Sequence, residues 1–158
     1  MSLTIRNLTA EDADAVIAMN AEFVAYLAAM GDPDSQVQHF TKEKYLADGF
    51  GPQPAFAGYI AEDETESLGY LLYCAGYNAD VAQRMFFIID LWVRDTARRK
   101  GVGKALMARC AADCRAWGGQ RLEWNVYRPN KLAFDFYRRV GGEVVDELVV
   151  MLLQTDKM

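Results

Sequence analysis

Arg98-Arg99-Lys100-Gly101-Val102-Gly103 combines two things that hold a small polyanion: cationic side chains, and a main chain that phosphate oxygens can approach. Val102, Leu106, Cys110, Cys114 and Trp117 recur at helical spacing, so a helix is predicted to start at Val102. The N–H groups around Gly101 and Gly103 then belong to its unpaired first turn, which favours anions. Arg94 and Lys104 extend the basic stretch, and Asp95 is its only acid, in a chain whose formal net charge is −5. A local basic patch suits a small phosphorylated ligand, whereas nucleic acid requires a broadly basic surface. Spacing alone leaves a second reading open, in which the glycines merely turn the chain. Two rival phosphate motifs fail: G-x-x-x-x-G-K-[ST] does not occur, and the strand after the helix has no acid placed for a dinucleotide ribose.

Asp90 is the second chemically loaded position, a lone carboxylate in the otherwise apolar run 85–93. Such a group is either tied down by structural hydrogen bonds or kept for its proton chemistry. His39, the only histidine, falls in a predicted loop. Cys74, Cys110 and Cys114 are odd in number and lack ligand spacing, so they read as core residues, with no disulfide framework and no metal expected.

The elements that position these residues follow from periodicity. Ile5 opens a short strand, and Thr9 with Asp12 forms a capping-box pattern before a helix carrying Ala13, Val16, Ile17, Phe23, Val24 and Leu27. Gly31-Asp32-Pro33-Asp34 stops that helix, and Thr41 starts a shorter one ending at Gly49. Runs 56–61 and 68–73 read as a hairpin, with 85–93 as a third antiparallel strand buried on both faces. After the helix from Val102 come a strand over 122–127, a helix opening near Pro129 and ending at Gly141-Gly142, and a last strand over 143–153 that closes the sheet. The fold class is α/β (α+β), in a single domain spanning 1–158. The longest apolar stretch is too short to span a bilayer and the N-terminus lacks a signal-peptide pattern, so the expected setting is soluble and cytoplasmic, without membrane or nucleic-acid partners.

Residues 98–103 resemble the R-x-x-G-x-G signature of the GNAT superfamily of acetyl-CoA-dependent N-acetyltransferases. Ile-Asp-Leu-Trp-Val over 89–93 is similar to that family's central strand, and Asn130, Ala133 and Phe136-Tyr137 repeat its N-x-x-A-x-x-F-Y pattern. The element order matches along nearly the whole chain. The resemblance is strongest to the spermidine/spermine and thialysine N-acetyltransferase branch, through Thr41 to Lys44, Leu46 to Gly51, Phe86 to Val93, Glu123 to Asn125 and Phe136 to Arg139.

The resemblance implies a mixed, mostly antiparallel central sheet with a splayed pair of strands and helices on both faces. It implies acetyl-CoA as donor and no metal. The pantetheine arm would lie along the backbone of Leu91, Trp92 and Val93, and Arg98, Arg99, Lys100, Gly101, Val102, Gly103 and Lys104 would hold the phosphates. Asn130 and Ala133 would meet the cofactor, although an Asn near a helix start equally serves as a cap. Tyr137 matches the family's general acid and otherwise reads as a core tyrosine. Asp90 is the first candidate for the base that accepts the amine's proton, with Glu123 second. Tyr26, Asp90 and Glu123 are carried over as acceptor contacts. The polyamine branch has a glutamate just before the position of Asp90 and another just after that of Tyr26, where this chain has Ile89 and Leu27. Losing two carboxylates weakens binding of a polycation, and Tyr26, Phe50, Phe56 and Trp92 suit a less charged, partly apolar amine. The expected partner is a small-molecule primary amine. A protein or peptide acceptor, or a non-catalytic acyl-CoA-binding domain on the same fold, are the alternatives. The resemblance also implies a homodimer joined through the final strands, for which Val144, Leu148, Val150 and Leu152 have the alternation of a buried ribbon.

Overall fold

In the computed structural model, which describes residues 2–158, five strands pair in chain order into one sheet: β1 (Thr4–Asn7), β2 (Ala57–Glu62), β3 (Ser67–Asn78), β4 (Gln83–Val93) and β5 (Gly119–Trp124). Every pairing is antiparallel except β4 with β5, which is parallel. The helices are α1 (Ala13–Ala29), α2 (Lys42–Phe50), α3 (Val102–Ala116) and α4 (Lys131–Arg139). The Thr9–Asp12 capping box forms one 3-10 turn ahead of α1, and the Thr41 side chain caps α2 by accepting from the Lys44 N–H.

Helices cover both faces, as the apolar stripes predict. On one face α1 and α2 pack Val16, Met19 and Tyr45 against Ile60, Tyr70, Leu72 and Trp92. On the other, Val102, Leu106, Cys110 and Cys114 of α3 meet Leu71, Phe86 and Ile88, with Phe136 and Tyr137 of α4 and Val140 just after it packed alongside. Removing each large apolar side chain from water contributes roughly 1.5–3 kcal/mol.

One irregularity organises everything that follows. Leu72 pairs with Asp90 while its neighbour Tyr73 pairs with Ile88, so Ile89 is an extra residue bulged out of β4. Because side chains alternate along a strand, the bulge reverses parity: Phe86 and Ile88 face α3, whereas Asp90 and Trp92 face α1. The β4–β5 ladder ends at the pair Ile88–Trp124, so beyond it β4 is paired only on its β3 side. This is the predicted splay. It also corrects the expectation that β4 is buried on both faces, since Ile89 is 46% exposed.

Other boundaries differ too. β3 runs on to Asn78 because the long β3–β4 hairpin continues past β2. β5 starts at Gly119, not 122, because Gly118 at φ +88° turns the chain straight out of α3 and sets Gly119 beside Arg84. The closing strand predicted over 143–153 does not form: that stretch belongs to no strand, and Leu148, Val150 and Leu152 are at least 73% exposed. A strand exists only as part of a hydrogen-bonded ladder, and none among the described residues takes up the segment.

Candidate active site

Val93 ends β4 at the mouth of the splay, and the basic stretch follows directly. Its cations divide into two groups. Arg94 is used structurally, donating from Nε to Glu22 (3.1 Å) and from Nη1 to Glu66 (3.2 Å) and the Ser67 carbonyl (3.0 Å). Arg98 is half-buried: it pairs with Asp95, donates from Nε to the Val93 carbonyl (3.1 Å), and stacks its guanidinium over Trp92 (4.6 Å) and Tyr26 (5.3 Å). Arg99, Lys100 and Lys104 are exposed and make no ion pair among the described residues. Left-handed φ values at Arg99 (+61°) and Gly101 (+85°) turn the main chain directly ahead of α3, whose first-turn N–H groups are free to meet an anion. Gly101 is therefore required by backbone conformation. Gly103 has a different reason, because a Cβ there would lie 3.1 Å from the Phe136 ring and push α3 off α4.

Asp90 lies at the other side of the splay, beneath α1. Its Oδ2 accepts from the Tyr70 hydroxyl (2.7 Å) and from Asn20 Nδ2 (3.2 Å). Burial pushes its carboxyl up to about 6, against the pull of those two donors. Tyr137 packs its ring on Trp124 (4.8 Å) and Phe136 (5.1 Å). Burial first, and then the charge of Asp90, push its hydroxyl up to about 12.

Asn130 Oδ1 accepts both from the Ala133 N–H (3.1 Å), as the cap of α4, and from the Tyr26 hydroxyl (3.1 Å). It thereby ties the last turns of α1 to the start of α4. Tyr26 also lies against Trp92 at 5.3 Å, so Tyr26, Trp92, Arg98 and Asn130 form one wall. Glu123 is placed apart: it pairs with Phe87 on the closed part of the ladder, held by Arg121 and Asn78. Asp90 lies on β4 beyond the last β4–β5 pair and Tyr137 packs on Trp124 at that pair, whereas Glu123 lies on the closed part of the ladder. Sequence reasoning missed Asn20, Tyr70 and Gln38. A signal existed for Asn20, a polar residue on the apolar stripe of α1 four positions after Val16.

The acetyltransferase (GNAT) family model matches residues 18–142, most of the chain. The chain belongs to the GNAT acetyltransferase family. L-ornithine N5-acetyltransferase of Arabidopsis thaliana is 33% identical over 90 residues, covering 57% of this chain and 40% of that protein. The chain thus spans well under two thirds of the length of that relative. Thialysine N-epsilon-acetyltransferase of Sus scrofa is 26% identical over 154 residues, 92% of this chain and 87% of that one. Among solved structures, an integron cassette protein from the mobile metagenome of V. cholerae superposes with a TM-score of 0.79 at 22% identity, covering 99% and 94% of the two chains. An aminoglycoside acetyltransferase from an uncultured soil sample gives 0.75 at 19%, covering 96% and 95%. Likeness at such identities establishes the GNAT fold. Acetyl-CoA, the donor used by acetyltransferases of this family, fits the residues present. The cradle at 99–101 with the exposed cations Arg99, Lys100 and Lys104 matches a pyrophosphate, and the peptide edge of β4 beyond Ile88 matches a donor arm that carries amides.

Proposed function

We propose that this single domain, residues 1–158, is an acetyl-CoA-dependent N-acetyltransferase acting on the primary amine of a small molecule of diamine, polyamine or amino-acid type. The observation that carries the proposal is the opening of β4 from β5 beyond the Ile88–Trp124 pair, with Asp90 on the unpaired stretch of β4 and Tyr137 packed on Trp124 at the same point. The amines acetylated by the ornithine and thialysine relatives support the acceptor class. Leu27 and the exposed Ile89 favour an acceptor with one cationic head and an apolar stem over a long polycation.

Acetyl-CoA supplies the activated acetyl group as a thioester. The turn around Gly101 with Arg99, Lys100 and Lys104 would hold its phosphates, and the backbone of Leu91, Trp92 and Val93, with Asn130 and Ala133, would hold its arm. Arg98 contributes through Trp92 and Tyr26, stiffening the wall between cofactor and acceptor. An alkylammonium titrates near ~10.4 and cannot attack until a proton leaves it. Asp90, titrating near 6, is ionised at neutral pH and takes that proton directly or through water. Tyr137 keeps its proton at any working pH and donates a hydrogen bond to the departing sulfur. Complete transfer is uphill, since a thiol titrates near ~8.5, so the hydroxyl acts chiefly by sharing its proton as negative charge develops.

Calorimetric titration of acetyl-CoA tests the binding half. The wild type is expected to bind in the micromolar range, and a Gly101→Val, Gly103→Val variant at least ~30-fold more weakly, from strain at the left-handed position and the clash with Phe136. Absence of binding to the wild type would falsify the proposal.

The proposed assembly is a homodimer in the cytoplasm, without nucleic-acid or membrane partners. The exposed apolar segment containing Leu148, Val150 and Leu152 supports pairing with a second copy, and the formal net charge of −5 disfavours nucleic acid. Sedimentation equilibrium should give twice the chain mass, falling to one chain mass for Leu148→Asp, Val150→Asp. A monomeric wild type at micromolar concentration would refute the dimer.

A further inference from the structure

Asn20 and Gln38 belong to no motif, yet with Tyr70 they build a hydrogen-bond chain whose direction is fully determined. Gln38, in the connection between α1 and α2, donates from Nε2 to the Ile17 carbonyl (3.0 Å) and to Asn20 Oδ1 (3.2 Å). That fixes which way round the Asn20 amide sits. Its Nδ2 must then face inward, donating to the Tyr70 hydroxyl (3.1 Å) and to Asp90 Oδ2 (3.2 Å). Tyr70, fully buried, has spent its acceptor on Asn20 and so donates to Asp90 Oδ2 at 2.7 Å. Both donors converge on the same carboxylate oxygen. Oδ1 receives no hydrogen bond from the described residues.

We infer that Gln38, Asn20 and Tyr70 are positioning residues that hold Asp90 through Oδ2, leaving Oδ1 as the one oxygen able to take a proton from the acceptor amine. The inference rests on the proposed acetyl transfer and deepens it. A proton arriving at Oδ2 would face two donors that have no alternative acceptor, so protonation is confined to the outward oxygen. The groups that contact Asp90 are Asn20 from α1 and Tyr70 from β3, and its charge acts on the neutral hydroxyl of Tyr137 from α4. Glu22, two residues further along α1, acts on Tyr70, while its carboxylate is engaged by Trp92 Nε1 and Arg94. None of these is a cation contacting the carboxylate, so the two donors are what steady its charged form against burial.

Tyr70→Phe removes the shorter bond and preserves the ring. The test follows the Asp90 carboxyl by carbon-13 NMR through pH, assigned by its loss in Asp90→Asn, beside the pH profile of kcat/KM. Tyr70→Phe should move both the carboxyl midpoint and the acid limb upward by about 1 unit. Transfer lost at neutral pH should largely return at higher pH, which a merely structural defect would not produce. Gln38→Ala, which frees the Asn20 amide to turn, should shift both in the same direction by less and serves if Tyr70→Phe does not fold. An unmoved carboxyl midpoint overturns the positioning role, whatever the wild type does to amines. A midpoint that moves while the acid limb stays still overturns the link to catalysis. A wild type that acetylates no amine overturns the proposed function instead, and the NMR titration then decides the geometry separately.

Discussion

Asp90→Asn should lower kcat/KM for the amine by about 10²- to 10³-fold near pH ~7.5, the usual worth of a positioned base, while raising thermal stability. The two effects have one cause. An ordinary aspartate titrates near 3.8, and burial pushes Asp90 up to about 6, so above pH 6 the folded state carries a charge that the unfolded chain would solvate better. Between these values the folded protein binds the extra proton, and stability therefore falls as pH rises from about 4 through 6, then levels off. Asparagine keeps an acceptor for Tyr70 and Asn20 and carries no charge. Its gain should be on the order of 2 kcal/mol near neutrality, seen as a Tm higher by roughly 4 °C, and should vanish near pH ~4. Calorimetric melts across pH, with steady-state kinetics on the same samples, check both parts. Unchanged activity would remove Asp90 as base. An activity loss with no pH-dependent stability gain would mean that Asp90 is not a desolvated carboxylate.

Tyr137→Phe should reduce kcat by about 10²-fold and leave the KM for the acetyl donor within a factor of about 2. The ring stays on Trp124 and Phe136, so packing is preserved and only the hydroxyl is lost. That hydroxyl matters when negative charge appears on the departing sulfur and not before, which places its effect on kcat. A loss confined to KM would make Tyr137 a binding residue. No loss at all would return it to the core, the other role open to a tyrosine on the apolar side of α4.

Helices α1, α2 and α3 and the antiparallel meander were readable because their apolar spacing is periodic and their ends carry capping residues and glycines. The phosphate cradle was readable because its chemistry is contiguous: cations, glycines and a helix start lie within seven residues. Asp90 stood out because a carboxylate in an apolar strand needs a reason. The bulge at Ile89 left no such trace, since an inserted residue is invisible until a partner strand fixes the register, yet it turns Asp90 and Trp92 toward α1. The chain Gln38, Asn20, Tyr70 was equally hidden, because its members lie up to 50 residues apart and meet only across the layers. Residues 143–153 show the opposite failure. Their alternation states a preference for β structure, but a strand also requires an edge to pair with, and that is a property of the folded assembly and not of the segment. The sequence by itself determined the helices, the antiparallel meander and which ligand chemistry the 98–104 stretch could serve; register, burial and long-range contact, which depend on neighbours distant along the chain, decided which predicted strand fails to pair and how Asp90 is held.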